Sequence, residues 1–429
     1  MYDLVIVGAG WAGFNAALKA KDLGKKCCLI EKSQVGGTCL NLGCIPTKTL
    51  IQSAKVFTLI KKSATFGLED ITPKINLQKV QERKEKIVAG LRQGMQSSLK
   101  GIDFLSAPAQ FLSNEEIKAG GKNIKAKNIL IATGSKPIEL PAFKFDSKIT
   151  LSSDDILNLK EIPASLLIIG GGVIGCEFAS LFSILGAQVT VVEKMPQLLP
   201  GEDSEVARKL EIIFKKKGVK VHTNTDAQTF DTKNYSLTLV CVGRAPRTEG
   251  MGLAEIGVKL ERGKILVDEY LKTNINNIYS AGDCTAKIML AHFAAYQGVI
   301  AAENIANLNS PKKADNSIIP NCIFTDPEIA SIGSSEEKAK NKGIDIKINK
   351  FDFLGSGMAR ILDEAEGFIK VISEARTGQI LGASIIGPKS TELIAAFGVS
   401  ITNQLKISQI KDTIFAHPTL SESIHEALK

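Results

Sequence analysis

The stretch "YDLVIVGAGWAGFNAALKAKDLGKKCCLIEK" occupies residues 2–32, and its plan returns at 165–194 as "SLLIIGGGVIGCEFASLFSILGAQVTVVEK". In each copy an apolar run of strand length leads through G-x-G-x-x-G into a helical stretch, and a second apolar run closes on a glutamate. The distance from the first glycine to that glutamate is the same in both copies. Two matched fingerprints between strand and helix predict two Rossmann-like units, each binding a dinucleotide.

The glycines and the closing glutamate of each copy have separate expected roles. The first glycine turns the chain, the second lets the backbone approach a pyrophosphate at the helix N-terminus, and the third packs the helix on the strand. In that order they are Gly8, Gly10 and Gly13 in the first copy, and Gly170, Gly172 and Gly175 in the second. The closing carboxylates, Glu31 and Glu193, are expected to accept hydrogen bonds from an adenosine ribose. Because Glu193 would repel a 2′-phosphate and only Lys194 is basic in "VVEKMPQLLP", the second site favours NAD over NADP.

Composition excludes several classes of protein. The chain has 429 residues, enough for several domains, and no stretch approaches the roughly 18 apolar residues of a membrane span. Its start, "MYDLVIVGAG", lacks a basic segment and a cleavage site, so we expect a cytoplasmic protein without membrane contact. The net charge of +8 is spread out, without a basic stripe with interleaved aromatics, which argues against nucleic acid as a partner.

The order of motifs predicts an α/β protein with a further α+β domain at its C-terminus. We expect a first dinucleotide-binding domain over 1–145, a second over 146–246, completion of the first over 247–315, and an interface domain over 316–429. The last segment has short apolar strands such as "GFIKVIS" and "GQILGASIIG", followed by helical stretches, and no third fingerprint. Between the two repeats the pattern predicts helix over 47–100 and a strand over 127–137, and the second repeat ends in a strand over 236–246.

Cys39 and Cys44 differ from the other six cysteines, most of which lie in apolar runs typical of buried thiols. They stand in "GGTCLNLGCIPTK" (36–48), and a metal site is disfavoured because no second ligand pair accompanies them. On an ideal helix their side chains would point about 140° apart, so a bridge needs a distorted helical start, which Gly43 and Pro46 permit. A bridge closing so small a loop adds little stability and is comparatively easy to reduce, which favours a redox-active pair.

"GGTCLNLGCIPTK" resembles the redox signature of the flavin-dependent pyridine nucleotide–disulfide oxidoreductases, and its L-N-x-G-C-I-P form is most similar to that of the dihydrolipoamide dehydrogenases. The likeness continues through "IATGS", "GGGVIGCEFA", "VGRAP", "AGDCT", "MLAH", "FTDPEIASIG" and "AHPTLSE", and it covers essentially the whole chain. It implies that the first repeat holds FAD and the second NAD, in a homodimer whose C-terminal domain forms the interface.

The resemblance also implies roles for single residues. Cys44 corresponds to the thiolate next to the flavin, and Cys39 to the thiol that exchanges with the substrate. Lys48 corresponds to the lysine near the flavin N5 and is paired with Glu177, and Asp283 to the acid that holds the ribityl chain. The other cofactor-binding residues expected, besides the fingerprint glycines and glutamates, are Lys32, Gly37, Thr38, Ala107, Thr133, Gly134, Gly243, Met289, Leu290, Ala291 and His292.

His417 and Glu422 correspond to the catalytic base and its orienting carboxylate. A neutral imidazole is suited to take a proton from dihydrolipoamide near pH 7, and a glutamate on its other nitrogen would fix the tautomer. The base belongs to the predicted interface domain, so the resemblance implies that it serves the partner chain's dithiol.

The function expected is oxidation of protein-bound dihydrolipoamide with NAD, with lipoyl domains of 2-oxoacid dehydrogenase complexes or of the glycine cleavage system as partners. A glutathione reductase should favour NADPH, and a mercuric reductase should carry a terminal cysteine pair, whereas the last cysteine here is Cys322. A non-catalytic flavoprotein sensor has no evident need for a substrate base. The segments 112–126 and 223–244 are shorter than the family usually has, which predicts smaller sheets there.

Overall fold

The computed structural model describes residues 1–69 and 71–429, which form twelve α-helices and twenty-one strands. The helices are α1 (Trp11–Asp22), α2 (Gly37–Leu42), α3 (Cys44–Lys61), α4 (Leu77–Ser98), α5 (Val173–Ile184), α6 (Ser204–Lys216), α7 (Ala291–Ala306), α8 (Glu336–Asn341), α9 (Gly357–Ile361), α10 (Ser390–Thr402), α11 (Ile407–Lys411) and α12 (Glu422–Glu426). The strands are β1 (Tyr2–Val7), β2 (Cys27–Glu31), β3 (Asp103–Ser106), β4 (Ala109–Phe111), β5 (Glu116–Ala119), β6 (Lys122–Ile131), β7 (Ser135–Pro137), β8 (Thr150–Leu151), β9 (Ser165–Ile169), β10 (Gln188–Val192), β11 (Lys220–His222), β12 (Leu237–Val240), β13 (Arg244–Pro246), β14 (Leu260–Glu261), β15 (Lys264–Ile265), β16 (Ile278–Ser280), β17 (Asn321–Ile323), β18 (Glu328–Gly333), β19 (Ile346–Asp352), β20 (Phe368–Glu374) and β21 (Ile380–Gly387).

The first unit is built on a seven-stranded sheet in the order β3-β2-β1-β6-β5-β4, with β16 also pairing β6. Strand β1 is apolar and largely buried because it runs parallel between β2 and β6, as expected for the first strand of a Rossmann unit. The start of β6 pairs with β5 in a short antiparallel extension, and its end pairs in parallel with β1 and β16. The late strand β16 therefore completes a sheet begun at the N-terminus.

The second unit is a five-stranded parallel sheet in the order β11-β10-β9-β12-β8. Helix α5 follows β9, and α6 connects β10 to β11, which repeats the βαβ arrangement of the first unit. Two single-turn 3-10 helices, Ala227–Thr229 and Thr232–Asn234, occupy the short connection from β11 to β12. The connection is thus reduced, in agreement with the shortness of 223–244.

Three predicted elements are interrupted, and glycine marks each break. The strand predicted over 127–137 is divided between β6 and β7, and the one over 236–246 between β12 and β13. Gly134 (φ +73°) and Gly243 (φ +128°) lie in these gaps, where the backbone leaves the extended region. The helix predicted over 47–100 is two helices, α3 and α4, and Gly67 (φ +75°) ends the 3-10 turn, Ser63–Phe66, that follows the first. Strands β7 and β13 instead pair with each other as a ribbon between the two units.

The C-terminal unit is an antiparallel sheet in the order β17-β18-β21-β20-β19, with α10 packed on β18 and β21. Ile323, Ile329 and Phe368 of this sheet share one apolar core with residues of the second unit. An ion cluster around the buried Lys370 side chain adds to that contact, since Lys370 of β20 lies 3.0 Å from the buried Asp203 and 2.7 Å from the more exposed Glu205 at the start of α6. The C-terminal unit is therefore docked on the second unit by both apolar and ionic contacts.

The predicted fold class, two Rossmann-like units followed by an α+β unit, is confirmed. The domain boundaries at 145, 246 and 315 stay predictions. In the parts of the chain that the structure describes, we find no helix with the length and apolar character needed to span a membrane.

Candidate redox-active site

The dithiol lies at a break between two helices. Cys39 is in the middle of α2, and Cys44 is the first residue of α3. Gly43 separates them with φ −150° and ψ −114°, well outside the helical region. Both cysteines are free thiols in this structure. The local distortion that a bridge between these positions would require is therefore present.

The two sulfurs have opposite acid–base character. A hydrogen bond from Cys39 lowers the pKa of Cys44 to about 7, against the effect of burial, and the Lys48 cation acts in the same direction. The same hydrogen bond, together with burial, raises the pKa of Cys39 far above its ordinary value. Near neutral pH Cys39 therefore keeps its proton, and Cys44 is the member of the pair that ionises to a thiolate, the form that reacts as a nucleophile.

Lys48 is held next to the dithiol by residues from all three units. Helix α3 places Lys48 one turn after Cys44, on the same face. Its Nζ lies 2.8 and 2.7 Å from the two carboxylate oxygens of Glu177, which is 3% exposed on α5. The backbone N–H of Phe324 donates to Glu177 at 2.9 Å, and the Lys48 Nζ lies 4.9 Å from the centre of the Phe324 ring. The predicted Lys48–Glu177 pair is thus formed.

One cavity of about 1240 Å³ contains the dithiol and reaches both glycine fingerprints. It therefore brings together most of the residues that the sequence analysis singled out. Those on its wall are Gly8, Gly10, Glu31, Lys32, Gly37, Thr38, Cys39, Cys44, Lys48, Ala107, Thr133, Gly134, Gly170, Gly172, Glu177, Glu193, Gly243, Asp283, Met289, Leu290 and Ala291.

The third glycine of each fingerprint is a packing residue. A Cβ on Gly13 would lie 1.8 Å from the Gly8 carbonyl oxygen, and one on Gly175 would lie 1.9 Å from that of Gly170. Neither glycine lines the cavity. Around the second glycine, Gly172, the described residues leave the space within 4 Å of a Cβ open. This contrast matches a fingerprint in which one glycine packs the helix and another leaves room for a ligand.

The two closing glutamates are held in the same way. Glu31 accepts hydrogen bonds from the backbone N–H groups of Ala9 (2.7 Å) and Ser33 (2.8 Å). Glu193 accepts from the corresponding N–H groups of Gly171 (2.6 Å) and Met195 (2.7 Å). Each carboxylate is fixed at the cavity wall, and its oxygens have capacity for further donors such as ribose hydroxyls.

Further polar groups on the wall fit a bound dinucleotide. The buried Thr133 hydroxyl finds no hydrogen-bond partner within the described residues, so it is available to a ligand. The Ser135 hydroxyl donates to Asp283 at 2.6 Å and accepts from the Arg244 Nε–H at 2.8 Å. Asp283 is thereby oriented from β7 and β13, the ribbon between the two units.

His417 and Glu422 form a pair away from this cavity. The His417 Nδ1–H donates to one Glu422 oxygen at 2.8 Å, and the Thr419 N–H donates to the other at 2.8 Å. These two hydrogen bonds, of which the one from Thr419 has the larger effect, hold the pKa of Glu422 below its usual range. The His417 side chain is 81% exposed and does not line the cavity of its own chain. His292, expected at the cofactor, also lies outside the lining, with Nε2 3.0 Å from the Pro320 carbonyl oxygen.

Comparison with known proteins places this geometry in a family. The family model described as pyridine nucleotide–disulphide oxidoreductase matches residues 2–298, and the dimerisation domain of the same family matches 319–428. The chain belongs to the pyridine nucleotide–disulphide oxidoreductases. The family resemblance seen in the sequence, and the class of enzyme that it implied, are therefore confirmed.

Several members of this family are similar to the chain over nearly its full length. A dihydrolipoyl dehydrogenase of Bacillus subtilis is 41% identical, with 99% of this chain and 97% of the relative covered. One of Chlamydia trachomatis is 40% identical, with 98% and 95% covered. Among solved structures, LpdA of Mycobacterium tuberculosis has a TM-score of 0.91 at 28% identity, covering 99% of this chain and 98% of its own. The HOCl-induced flavoprotein disulfide reductase RclA of Escherichia coli has a TM-score of 0.89 at 29% identity, covering 100% and 99%.

Three residues of this oxidoreductase site were not anticipated from the sequence. Cys322 lies on the cavity wall, and burial raises the pKa of its thiol to about 11, so it stays protonated near neutral pH. Phe324 reaches Lys48 only because the C-terminal sheet docks on the second unit. Trp11 also lines the cavity, and the signal in the sequence is its position between the second and third glycines of the first fingerprint.

Proposed function

We propose that this chain is an NAD-dependent, FAD-containing dihydrolipoyl dehydrogenase that oxidises protein-bound dihydrolipoamide to lipoamide and reduces NAD⁺ to NADH. The observation that carries the proposal is a polarised dithiol in a cavity shared by two dinucleotide fingerprints. Relatives at about 40% identity over nearly the whole chain bear that enzyme's name, which supports the substrate class.

The first fingerprint is proposed to hold FAD and the second NAD. Gly8, Gly10, Glu31 and Thr133 would hold the adenosine and pyrophosphate parts of FAD, and Asp283 its ribityl chain. When bound, FAD supplies the two-electron transfer that connects the dithiol to NAD⁺. Gly170, Gly172 and Glu193 would hold NAD, and Glu193, already fixed by two backbone amides, would repel the additional phosphate of NADP.

The residues of the chain account for the thiol–disulfide steps. A thiolate of dihydrolipoamide attacks Cys39 Sγ of the Cys39–Cys44 disulfide, and the Cys44 sulfur leaves with the bonding electron pair. Cys44 is the better leaving group because its thiolate is stabilised beside Lys48. The second lipoyl sulfur then attacks the first, which closes the lipoamide disulfide and releases the Cys39 thiolate.

His417 is proposed to take the proton of the attacking lipoyl thiol and later return one to Cys39. Its Nδ1–H is bound to Glu422, which leaves Nε2 to accept the proton. The paired glutamate, whose pKa is lowered, stabilises the imidazolium that results.

We propose a homodimer in which His417 of one chain serves the cavity of the other. The C-terminal unit matches the family's dimerisation domain and carries exposed apolar side chains, including Ile361 (62% exposed), Val399 (63%) and Ile414 (96%). His417 is itself exposed and outside its own chain's cavity, which supports delivery to a partner. The lipoyl domains of 2-oxoacid dehydrogenase complexes or of the glycine cleavage system are the proposed substrates, and the cytoplasm the proposed compartment.

Turnover with defined substrates tests this function. The FAD-loaded dimer should reduce NAD⁺ with dihydrolipoamide, and the Cys44→Ser variant should lose that activity. Activity with NADPH and glutathione disulfide, but not with dihydrolipoamide and NAD⁺, would assign a glutathione reductase instead. FAD binding without turnover of either substrate pair would indicate a flavoprotein sensor.

A further inference from the structure

Trp11 is placed opposite the dithiol by contact between two loops of the first unit. The Gly36 N–H donates to the Ala9 carbonyl oxygen at 2.8 Å, and a Cβ on Gly37 would lie 2.7 Å from the Gly10 Cα. Trp11 follows Gly10 as the first residue of α1, and Cys39 lies two residues beyond Gly37 on α2. Both side chains line the cavity. Trp11 is the only tryptophan in the sequence.

The indole N–H of Trp11 lacks an ordinary partner. Its Nε1 is buried, and the described part of the chain offers it no acceptor of normal hydrogen-bond geometry. The backbone of the same residue is satisfied, since the Asn15 side-chain amide donates to the Trp11 carbonyl oxygen at 2.8 Å. A buried N–H donor without a partner is unfavourable. An acceptor that forms in the cavity during the reaction would therefore be stabilised by this donor.

The sulfur of Cys39, on the wall of the same cavity, is a candidate acceptor. The hydrogen bond to Cys44 and burial raise the pKa of Cys39, while the Trp11 indole acts in the opposite direction. A neutral thiol is a weak acceptor, whereas a thiolate accepts strongly. The interaction should therefore strengthen when negative charge develops on this sulfur.

We propose that Trp11 is a catalytic residue whose indole N–H donates to the Cys39 sulfur when that sulfur carries negative charge. The role rests on the proposed oxidation of dihydrolipoamide. In its second step the S–S bond of lipoamide forms, the bond from the lipoyl sulfur to Cys39 Sγ breaks, and the electron pair stays on Cys39. Stabilising this thiolate makes Cys39 a better leaving group until His417 returns a proton.

The direct test measures the acidity of Cys39 rather than turnover. In full-length FAD-loaded Cys44→Ser protein, Cys39 is the remaining sulfur of the pair, and its alkylation by iodoacetamide can be followed against pH by mass spectrometry. Adding Trp11→Phe keeps an aromatic ring and removes the donor. We expect the alkylation rate of Cys39 near neutral pH to fall about tenfold, because a hydrogen bond to a charged group is lost.

Enzyme kinetics provide a second test of the role of Trp11. In the otherwise unchanged dimer, Trp11→Phe should lower kcat with dihydrolipoamide more than it lowers the rate of ferricyanide reduction by NADH, because ferricyanide takes electrons without Cys39. A wild-type dimer inactive on dihydrolipoamide would contradict the proposed function, whereas the alkylation profile tests Trp11 without the lipoyl substrate.

An unchanged alkylation profile in Trp11→Phe would overturn the inference. Loss of FAD affinity with an unchanged profile would do so as well, by assigning the indole to the cofactor. If the Trp11→Phe variant does not fold, the fluorescence emission of Trp11 in the Cys44→Ser protein tests the proposal instead. It should change with pH in step with Cys39 alkylation, and a flat emission would also overturn the proposal.

Discussion

Replacing Lys48 should raise the pKa of Cys44 by a calculable amount. The two residues are four apart on α3, so their Cβ atoms are about 6 Å apart, and we take the same separation for their charges. At an effective dielectric constant of roughly 20, opposite charges at that distance interact by about 2.8 kcal/mol, or about two pKa units. Glu177 offsets part of this because its negative charge raises the pKa of Cys44. We therefore expect Lys48→Met to raise that pKa from about 7 to about 8.

The direction of the Cys44 pKa shift can be measured by a pH titration of thiolate absorbance in the reduced protein. A thiolate forms above its pKa, so Lys48→Met should lower the thiolate fraction at pH 7 from about one half to about one tenth. Glu177→Gln should shift the midpoint the other way, because it removes the negative charge and leaves the Lys48 cation uncompensated.

Lys55→Met is the matched control. Lys55 lies on the same helix and pairs with a buried glutamate, Glu328, at 2.5 Å. It is eleven residues from Cys44, or roughly 16 Å along the helix, beyond the Debye length in ordinary buffers. The electrostatic reasoning would be refuted if the midpoint of the Cys44 thiolate titration were unchanged in Lys48→Met. It would also be refuted if Lys55→Met shifted that midpoint by the same amount.

Three further outcomes are expected. Glu193→Gln should bring kcat/KM for NAD and kcat/KM for NADP closer together. If the two kcat/KM values were already equal in the unmodified enzyme, Glu193 would not face the ribose. Inactive Cys44→Ser and His417→Ala dimers, unfolded and refolded together, should regain activity because each hybrid has one complete site, and well-formed but inactive hybrids would refute a site shared between chains. Lys370→Met should reduce the free energy of opening of β20 in hydrogen exchange by about 3 kcal/mol, since it removes the cation that lies 3.0 Å from the buried Asp203 carboxylate. Lys350 is more exposed, so Lys350→Met should reduce the same free energy of opening by less than about 1 kcal/mol. Equal reductions in the two variants would show that burial of the lysine is not the cause.

The fold and most of the cavity could be predicted from local sequence because their determinants are local. A fingerprint glycine such as Gly13 is required by contact with its own turn, and Glu31 is held by amides of the neighbouring loop. The distortion between Cys39 and Cys44 likewise follows from Gly43. In each case the residues that decide the geometry belong to one βαβ repeat or to a shorter stretch, at most 22 residues apart.

Features that depend on packing between units could not be predicted in this way. Phe324 meets Lys48, and Lys370 meets Asp203, only after the C-terminal sheet docks on the second unit. Neither contact has a local pattern in the sequence. The breaks at Gly134 and Gly243 also have no signal in the apolar pattern, because the predicted strands continue across glycines whose positive φ becomes evident only in three dimensions.

Anaerobic reduction by dihydrolipoamide tests the central claim most directly, namely that Cys39 and Cys44 pass electrons from a lipoyl dithiol to NAD⁺. One equivalent added to the oxidised, FAD-loaded dimer should produce a long-wavelength charge-transfer band from the Cys44 thiolate, and NAD⁺ should remove it. The Cys44→Ser variant should show no such band. A dimer that dihydrolipoamide does not reduce, or a band that persists in Cys44→Ser, would contradict the account.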